Sequence, residues 1–115
     1  MPAAKFDITI DQGSDFEISV EVFENDAVKN LTGFGARAQL RQKLDAAGAT
    51  SFDTSGSQLN TNGTVKIAMS NQVTKNITAG SYVYDIEIFE GTAPNETSVT
   101  RILQGKATVT GEVTR

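Results

Sequence analysis

The sequence predicts an all-β protein, an antiparallel sandwich of about 7–8 strands with one short helical connector. Three observations carry that reading. Large apolar and small or polar side chains alternate with a period of two through most of the chain, which is the spacing of half-buried strands. Gly, Asn and Asp recur between the alternating runs, where tight turns need them. Thr, Val and Ile are abundant, as pleated surfaces favour. The 115 residues suit a single domain over 1–115, long enough to bury a core without cross-links.

Taken in order, Lys5 to Ile10 is a first strand with Phe6, Ile8 and Ile10 on its core side. Asp11-Gln12-Gly13-Ser14 turns the chain. Asp15 to Phe23 carries Phe16, Ile18, Val20 and Val22 on one face and Glu17, Ser19 and Glu21 on the other. A wet face of this kind predicts antiparallel pairing. Glu24-Asn25-Asp26-Ala27 reads as a turn, and the irregular passage to Gly33 offers Leu31 as a plug for one end of the core.

Phe34 to Gln42 alternates again, with Phe34, Ala36, Ala38 and Leu40 inward and Arg37, Gln39 and Arg41 outward. Leu44 to Gly48 reads as a turn of helix or, with Asp45–Gly48 as its tip, as a hairpin, and the hairpin fits the short extended Ala49 to Asp53 better. Ser55 to Asn62 is polar and reads as a loop or ragged edge strand. Val65, Ile67 and Met69 define a strand after the Asn62-Gly63 turn signal. In Ser70 to Ile77 the period of two breaks: Ser70 fits a helix N-cap, and Val73 with Ile77 has the i, i+4 spacing of one helical turn.

The strand around which the others are organised is 80–89, with Tyr82, Tyr84, Ile86 and Ile88 facing the core and Ser81, Val83, Asp85 and Glu87 facing out. Gly80 and Tyr82 have the Gly-x-Tyr spacing of a tyrosine corner, in which the hydroxyl bonds back to the backbone just upstream. After the loop Gly91–Glu96 comes a long last strand, Thr97 to Thr110. Alternation from both of its ends places Val99, Arg101 and Leu103 inward, and a bulge near Gly105 is expected to decide between Ile102 and Leu103.

Composition removes many functions. There is no Cys and no His, hence no disulfide framework, no thiolate metal site and none of the commonest general base. The net charge of −4 is concentrated early, in Asp7, Asp11, Asp15, Glu17, Glu21, Glu24 and Asp26, which disfavours nucleic acid. No apolar run approaches the roughly 20 residues that cross a bilayer, so no membrane partner is expected. Without a basic start followed by an apolar run at Met1–Lys5, the protein is expected to stay in, or be packaged from, a cytoplasm.

Candidate sites are few. Asp11–Asp15 with Asp7 has oxygens for calcium but lacks the spacing of a calcium-binding loop, and a structural turn is the stronger reading. Asp85 and Glu87 point to one side of their strand, as an acid and base pair would. Arg101 falls opposite them, and a structural cross-strand pair is favoured over chemistry. Arg37, Gln39 and Arg41, with Lys43 beyond, form a basic stripe that reads equally as a partner surface or a solvated face. Phe89 ends its strand on the polar side and reads equally as an exposed contact, which would join that candidate surface, or as a ring tucked under the following loop. Asn-x-Thr triplets at Asn30, Asn62, Asn76 and Asn95 carry no weight without a secretion signal.

Ile8–Phe16 and Asn30–Arg41 resemble the opening of small virion proteins of tailed bacteriophages, and Ala79–Ile88, Arg101–Val109 and Glu112–Arg115 resemble their second half, in a group similar to the N-terminal domain of phage baseplate upper proteins. The resemblance implies an immunoglobulin-like sandwich, a structural module with no enzymatic activity and no cofactor. It implies a virion location after synthesis in the bacterial host cytoplasm, and other virion proteins as partners in multiple symmetric copies. Because the chain ends at Arg115, before the long receptor-facing segments of that group, a tail or baseplate adaptor is expected. A head decoration protein is the alternative. A carbohydrate-binding module is disfavoured by the absence of Trp and by both Tyr being read as internal.

Overall fold

Alternating segments of this kind can hide their apolar side chains only by stacking two sheets, and the computed structural model, which describes residues 4–43, 49–92 and 95–111, shows that arrangement. In chain order the elements are β1 (Ala4–Lys5), β2 (Ile8–Asp11), β3 (Phe16–Glu21), β4 (Phe23–Glu24), β5 (Ala27–Val28), β6 (Phe34–Arg41), β7 (Thr50–Ser51), β8 (Thr64–Met69), α1 (Asn71–Thr74), β9 (Gly80–Glu90) and β10 (Ser98–Thr110). The main sheet runs β1-β10-β9-β6-β7, with β2 continuing β1 along β10. β3 and β8 pair opposite it, and β4 and β5 form a small hairpin whose two-residue loop, Asn25-Asp26, is left-handed. Among the described residues the ten strands exceed the expected count because breaks divide several of the alternating runs into two-residue pieces.

The core between the layers holds Ile8, Ile10, Ala38, Leu40, Val65, Ile67, Met69, Tyr84, Ile86, Ile88, Leu103, Ala107 and Val109, with Leu31 fully buried at one end. Phe52 joins the layers: its ring lies 6.1 Å from Phe16 and 6.3 Å from Tyr84. The chain changes sheet at that point. The Phe52 amide donates to the Ala38 carbonyl of the main sheet, and Asp53 exchanges both backbone hydrogen bonds with Ala68 of β8. Ser57 and Gln58 continue along β8, the Ser57 hydroxyl bonding both the amide and the carbonyl of Lys66. The polar stretch after Asp53 is thus the ragged edge that its composition suggested.

Four expectations are corrected. β1 and β2 run parallel to β10, so the main sheet is mixed rather than antiparallel, and the last strand lies inside it from Leu103 onward. Phe6 is exposed at 53% instead of facing the core. The reason lies in its carbonyl, which passes over Gly105 and accepts the Tyr84 hydroxyl at 2.5 Å. A Cβ at Gly105 would overlap that oxygen. Asp7 then supplies, through its carboxylate, the acceptor that the Lys106 amide would otherwise take from a strand (3.0 Å).

The bulge sits at Ile102, where the register with β9 shifts between Arg101 and Leu103, and not near Gly105. Arg101 and Val99 therefore face outward, and Leu103 is buried. In the connector, Ser70 occupies the N-cap position but makes no side-chain cap, and Asp15 accepts the Asn71 amide instead (2.7 Å). The inward residue is Thr74, with no exposed surface, while Val73 points outward. The Thr74 hydroxyl accepts from the Gly13 amide and donates to the Ser14 carbonyl, so a polar side chain is the one that fits. The expected hairpin tip, Asp45–Gly48, lies outside the described residues, although β6 and β7 on either side of it pair antiparallel.

Candidate functional site

Strand pairing assembles the outer face of the main sheet in rows. β6, β9 and β10 align Gly35, Phe89 and Val99, then Arg37, Glu87 and Arg101. Beyond the bulge come Gln39, Asp85 and Gln104, then Arg41, Val83 and Lys106, with Lys5 of β1 beside Gln104. The result is a shallow groove of about 710 Å³ lined by Lys5, Arg37, Arg41, Arg101 and Lys106 against the carboxylates of Asp85 and Glu87. The four expected surface residues, Arg37, Gln39, Arg41 and Phe89, share this face. Lys43 lies exposed past the end of β6.

At one end Phe89 lies flat over Gly35, where a Cβ would collide with its ring. The Arg37 guanidinium stacks on the same ring, 4.8 Å from its centroid. Arg37 also bonds Glu87 at 2.8 Å and Glu96 at 3.4 Å. Those hydrogen bonds, that to Glu87 foremost, hold its pKa above the ordinary arginine value. Arg37 is thus a clamp joining β6, β9 and the loop after β9, its charge shared with two carboxylates while 41% of its side chain stays exposed. Phe89 is half-buried under it.

Asp85 and Glu87 do lie side by side, and each has a cation. Arg101, in register with Glu87, reaches diagonally to Asp85, 3.2 Å away. Burial raises the Asp85 pKa, neighbouring Glu87 raises it further, and Arg101 opposes both. Each carboxylate of the pair is thus engaged by an arginine of a neighbouring strand, Glu87 by Arg37 and Asp85 by Arg101. Arg41 donates to Gln39 at 3.0 Å. Among the described residues, neither Lys5 nor Lys106 has a side-chain partner, so these two leave positive charge facing the groove.

Alternation alone did not bring out Lys5, Gln104 or Lys106. The signal was present in the alternation of 104, 106 and 108, but only the position of the bulge tells which face that set occupies. The remaining candidates have structural partners. Asp11 accepts from the Thr110 hydroxyl (2.7 Å), Asp15 caps the helix, and Gln12 donates to the Ile77 carbonyl (2.8 Å). No three metal-ligating side chains cluster among the described residues. The Tyr82 hydroxyl donates to the Thr78 carbonyl at 2.6 Å, locking the entry to β9 just after Gly80.

No protein-family model matches the chain, and no curated protein does. Among solved structures, the Listeria monocytogenes internalin-like protein lmo2027 aligns at a TM-score of 0.43 and 14% identity, over 94% of this chain and 28% of that one. The N-terminal domain of phage TP901-1 ORF48 aligns at a TM-score of 0.57 and 17% identity, over 89% of this chain and 82% of that one. The chain is an all-β sandwich that shares its fold, and a distant similarity, with this phage protein domain.

Proposed function

We propose that the protein is a structural component of a tailed-phage virion, an adaptor of the tail or baseplate that works by protein–protein assembly and carries no enzymatic activity. The observation that carries this is the two-way match to the ORF48 domain, which accounts for most of both chains rather than a shared fragment. The groove supports it. In a chain of net charge −4, five cations nonetheless face three carboxylates on one sheet face, and Lys5 and Lys106, without side-chain partners among the described residues, suit docking of an acidic protein surface in a defined orientation. Multiple copies around a symmetric particle would multiply a weak contact of this kind.

The test is to label the protein on purified particles and on heads and tails separated from them. Label on tails alone is the expected result, label on heads alone would make it a decoration protein, and absence from both would end the virion reading. Reversing Lys5 and Lys106 to Glu should lower its occupancy on the particle while leaving the fold intact. Arg37 is unsuited to this test, because its loss would release Glu87, Glu96 and Phe89 together.

A further inference from the structure

The β3–β8 ladder has a definite parity. The Val22 amide bonds the Gly63 carbonyl, and the register places Val20 opposite Val65, Ile18 opposite Ile67 and Phe16 opposite Met69 in the same phase. These residues therefore direct their backbone groups at β8. The other side of β8 confirms the phase: Ala68 bonds Asp53, Lys66 bonds the Ser57 hydroxyl and Thr64 bonds Gln58. It follows that Glu17, Ser19 and Glu21 turn their N–H and C=O groups away from β8, and among the described residues no strand pairs with that edge. β3 has no proline and no bulge along this edge.

The same edge is incompletely covered on its core side, where Phe16, Ile18 and Val20 remain only half-buried. On its outer side stand Glu17 and Glu21, with one cation, Lys66, across from them and already paired to Glu17 at 2.9 Å. A second copy is a poor occupant. Two β3 strands paired antiparallel about Ser19 would set Glu17 of each against Glu21 of the other, and like charges directly opposed are destabilising.

We propose that the β3 edge is a strand-addition site for an extended basic segment of a partner protein. Its alternate Lys or Arg side chains would lie beside Glu17 and Glu21, and its intervening apolar ones over Ile18 and Val20. This deepens the assembly reading and rests on it for the partner being a virion protein, but not for the chemistry of the edge. In the isolated protein, the amides of Glu17, Ser19 and Glu21 exchange with solvent much faster than those of Ile18 and Val20. Protection of all five alike would overturn the open edge.

Adding a short synthetic peptide that alternates Lys and Val slows the three edge amides by about tenfold or more, whereas a Glu and Val peptide does not. The Ser19→Pro variant removes an edge-facing N–H without touching the β8 ladder and loses the effect. Because that variant tests the backbone, a second, Glu17→Lys with Glu21→Lys, tests the charge: it should prefer the acidic peptide. Peptide protection that is absent, or unaltered in preference by the double reversal, refutes the proposal. A chain found in particles with an unresponsive edge refutes this inference alone, and a responsive edge on a protein missing from particles refutes only the virion role.

Discussion

Replacing Thr74 by Val isolates the hydroxyl at the centre of the connector. Thr74 has no exposed surface, and its oxygen accepts from the Gly13 amide at 3.1 Å and donates to the Ser14 carbonyl at 2.8 Å. Valine keeps the shape, so packing changes little while both bonds vanish. Each bond contributes roughly 1 kcal/mol net, and stranding its part-buried partner costs about as much again, so a loss of about 2–4 kcal/mol is expected. Thr74→Ser keeps both bonds and removes one methyl, a loss of about 1 kcal/mol. Val73→Ala, at an outward position, should cost less than either.

Equilibrium urea unfolding measures all three. With a slope of roughly 1–2 kcal/mol/M for a domain of this size, the Val variant should unfold at least about 1 M earlier than the parent, with the slope unchanged. A Val variant within about 0.5 kcal/mol of the parent would refute the reasoning, as would a Ser variant less stable than the Val one. Either result would mean that the turn at Gly13 and Ser14 holds its shape without Thr74.

Three further outcomes follow from the same contacts. Burial pushes the Tyr84 phenol up to about 12, with Asp7 adding to the effect, while the unfolded chain keeps a value near 10; stability present below pH 10 is therefore lost as pH rises towards 12, by on the order of 2 kcal/mol. Thermal unfolding against pH should show this alkaline fall in the parent and a shallower one in Tyr84→Phe. Gly105→Ala forces a Cβ into the Phe6 carbonyl and should detach β1 from β10, seen as early proteolysis near Lys5 and lost protection of the Phe6 amide. Ser70→Ala should be neutral within about 0.5 kcal/mol in urea unfolding, whereas Asp15→Ala, which removes the acceptor of the Asn71 amide, should cost about 1 kcal/mol.

What the sequence made legible was whatever depends on neighbours a few residues apart. The faces of β6 and β9 follow from a period of two, so Arg37, Gln39, Arg41 and Phe89 could be placed together, and so could Tyr84, Ile86 and Ile88 inside. The Tyr82 bond to Thr78 spans four residues and has its own spacing signal. The misplaced residues depend on distant parts of the chain. Phe6 faces out because Tyr84, remote in sequence, claims its carbonyl. Thr74 outranks Val73 because the Gly13 turn offers an amide and a carbonyl where an apolar residue would leave them unpaired. Lys5 and Lys106 could be assigned to the groove only once the parallel register and the Ile102 bulge were known.

The parallel seating of the first strands also decides which margins of the two layers stay open among the described residues. By lying along β10, β1 and β2 satisfy that strand from Leu103 to Thr110 and are thereby withdrawn from the second layer, which is left with β3 as an uncovered margin among the described residues. The same seating brings Lys5 beside Gln104 and adds its charge to the groove. One choice of strand partner thus produces two surfaces of unlike character, on different sheets. The groove carries excess positive charge over a saturated backbone, and the β3 margin carries excess negative charge over an unsaturated one. Their opposite signs make a single partner segment fit one and be repelled by the other. A module that must hold two different neighbours at once needs such discrimination, and the two proposed contacts together would supply it.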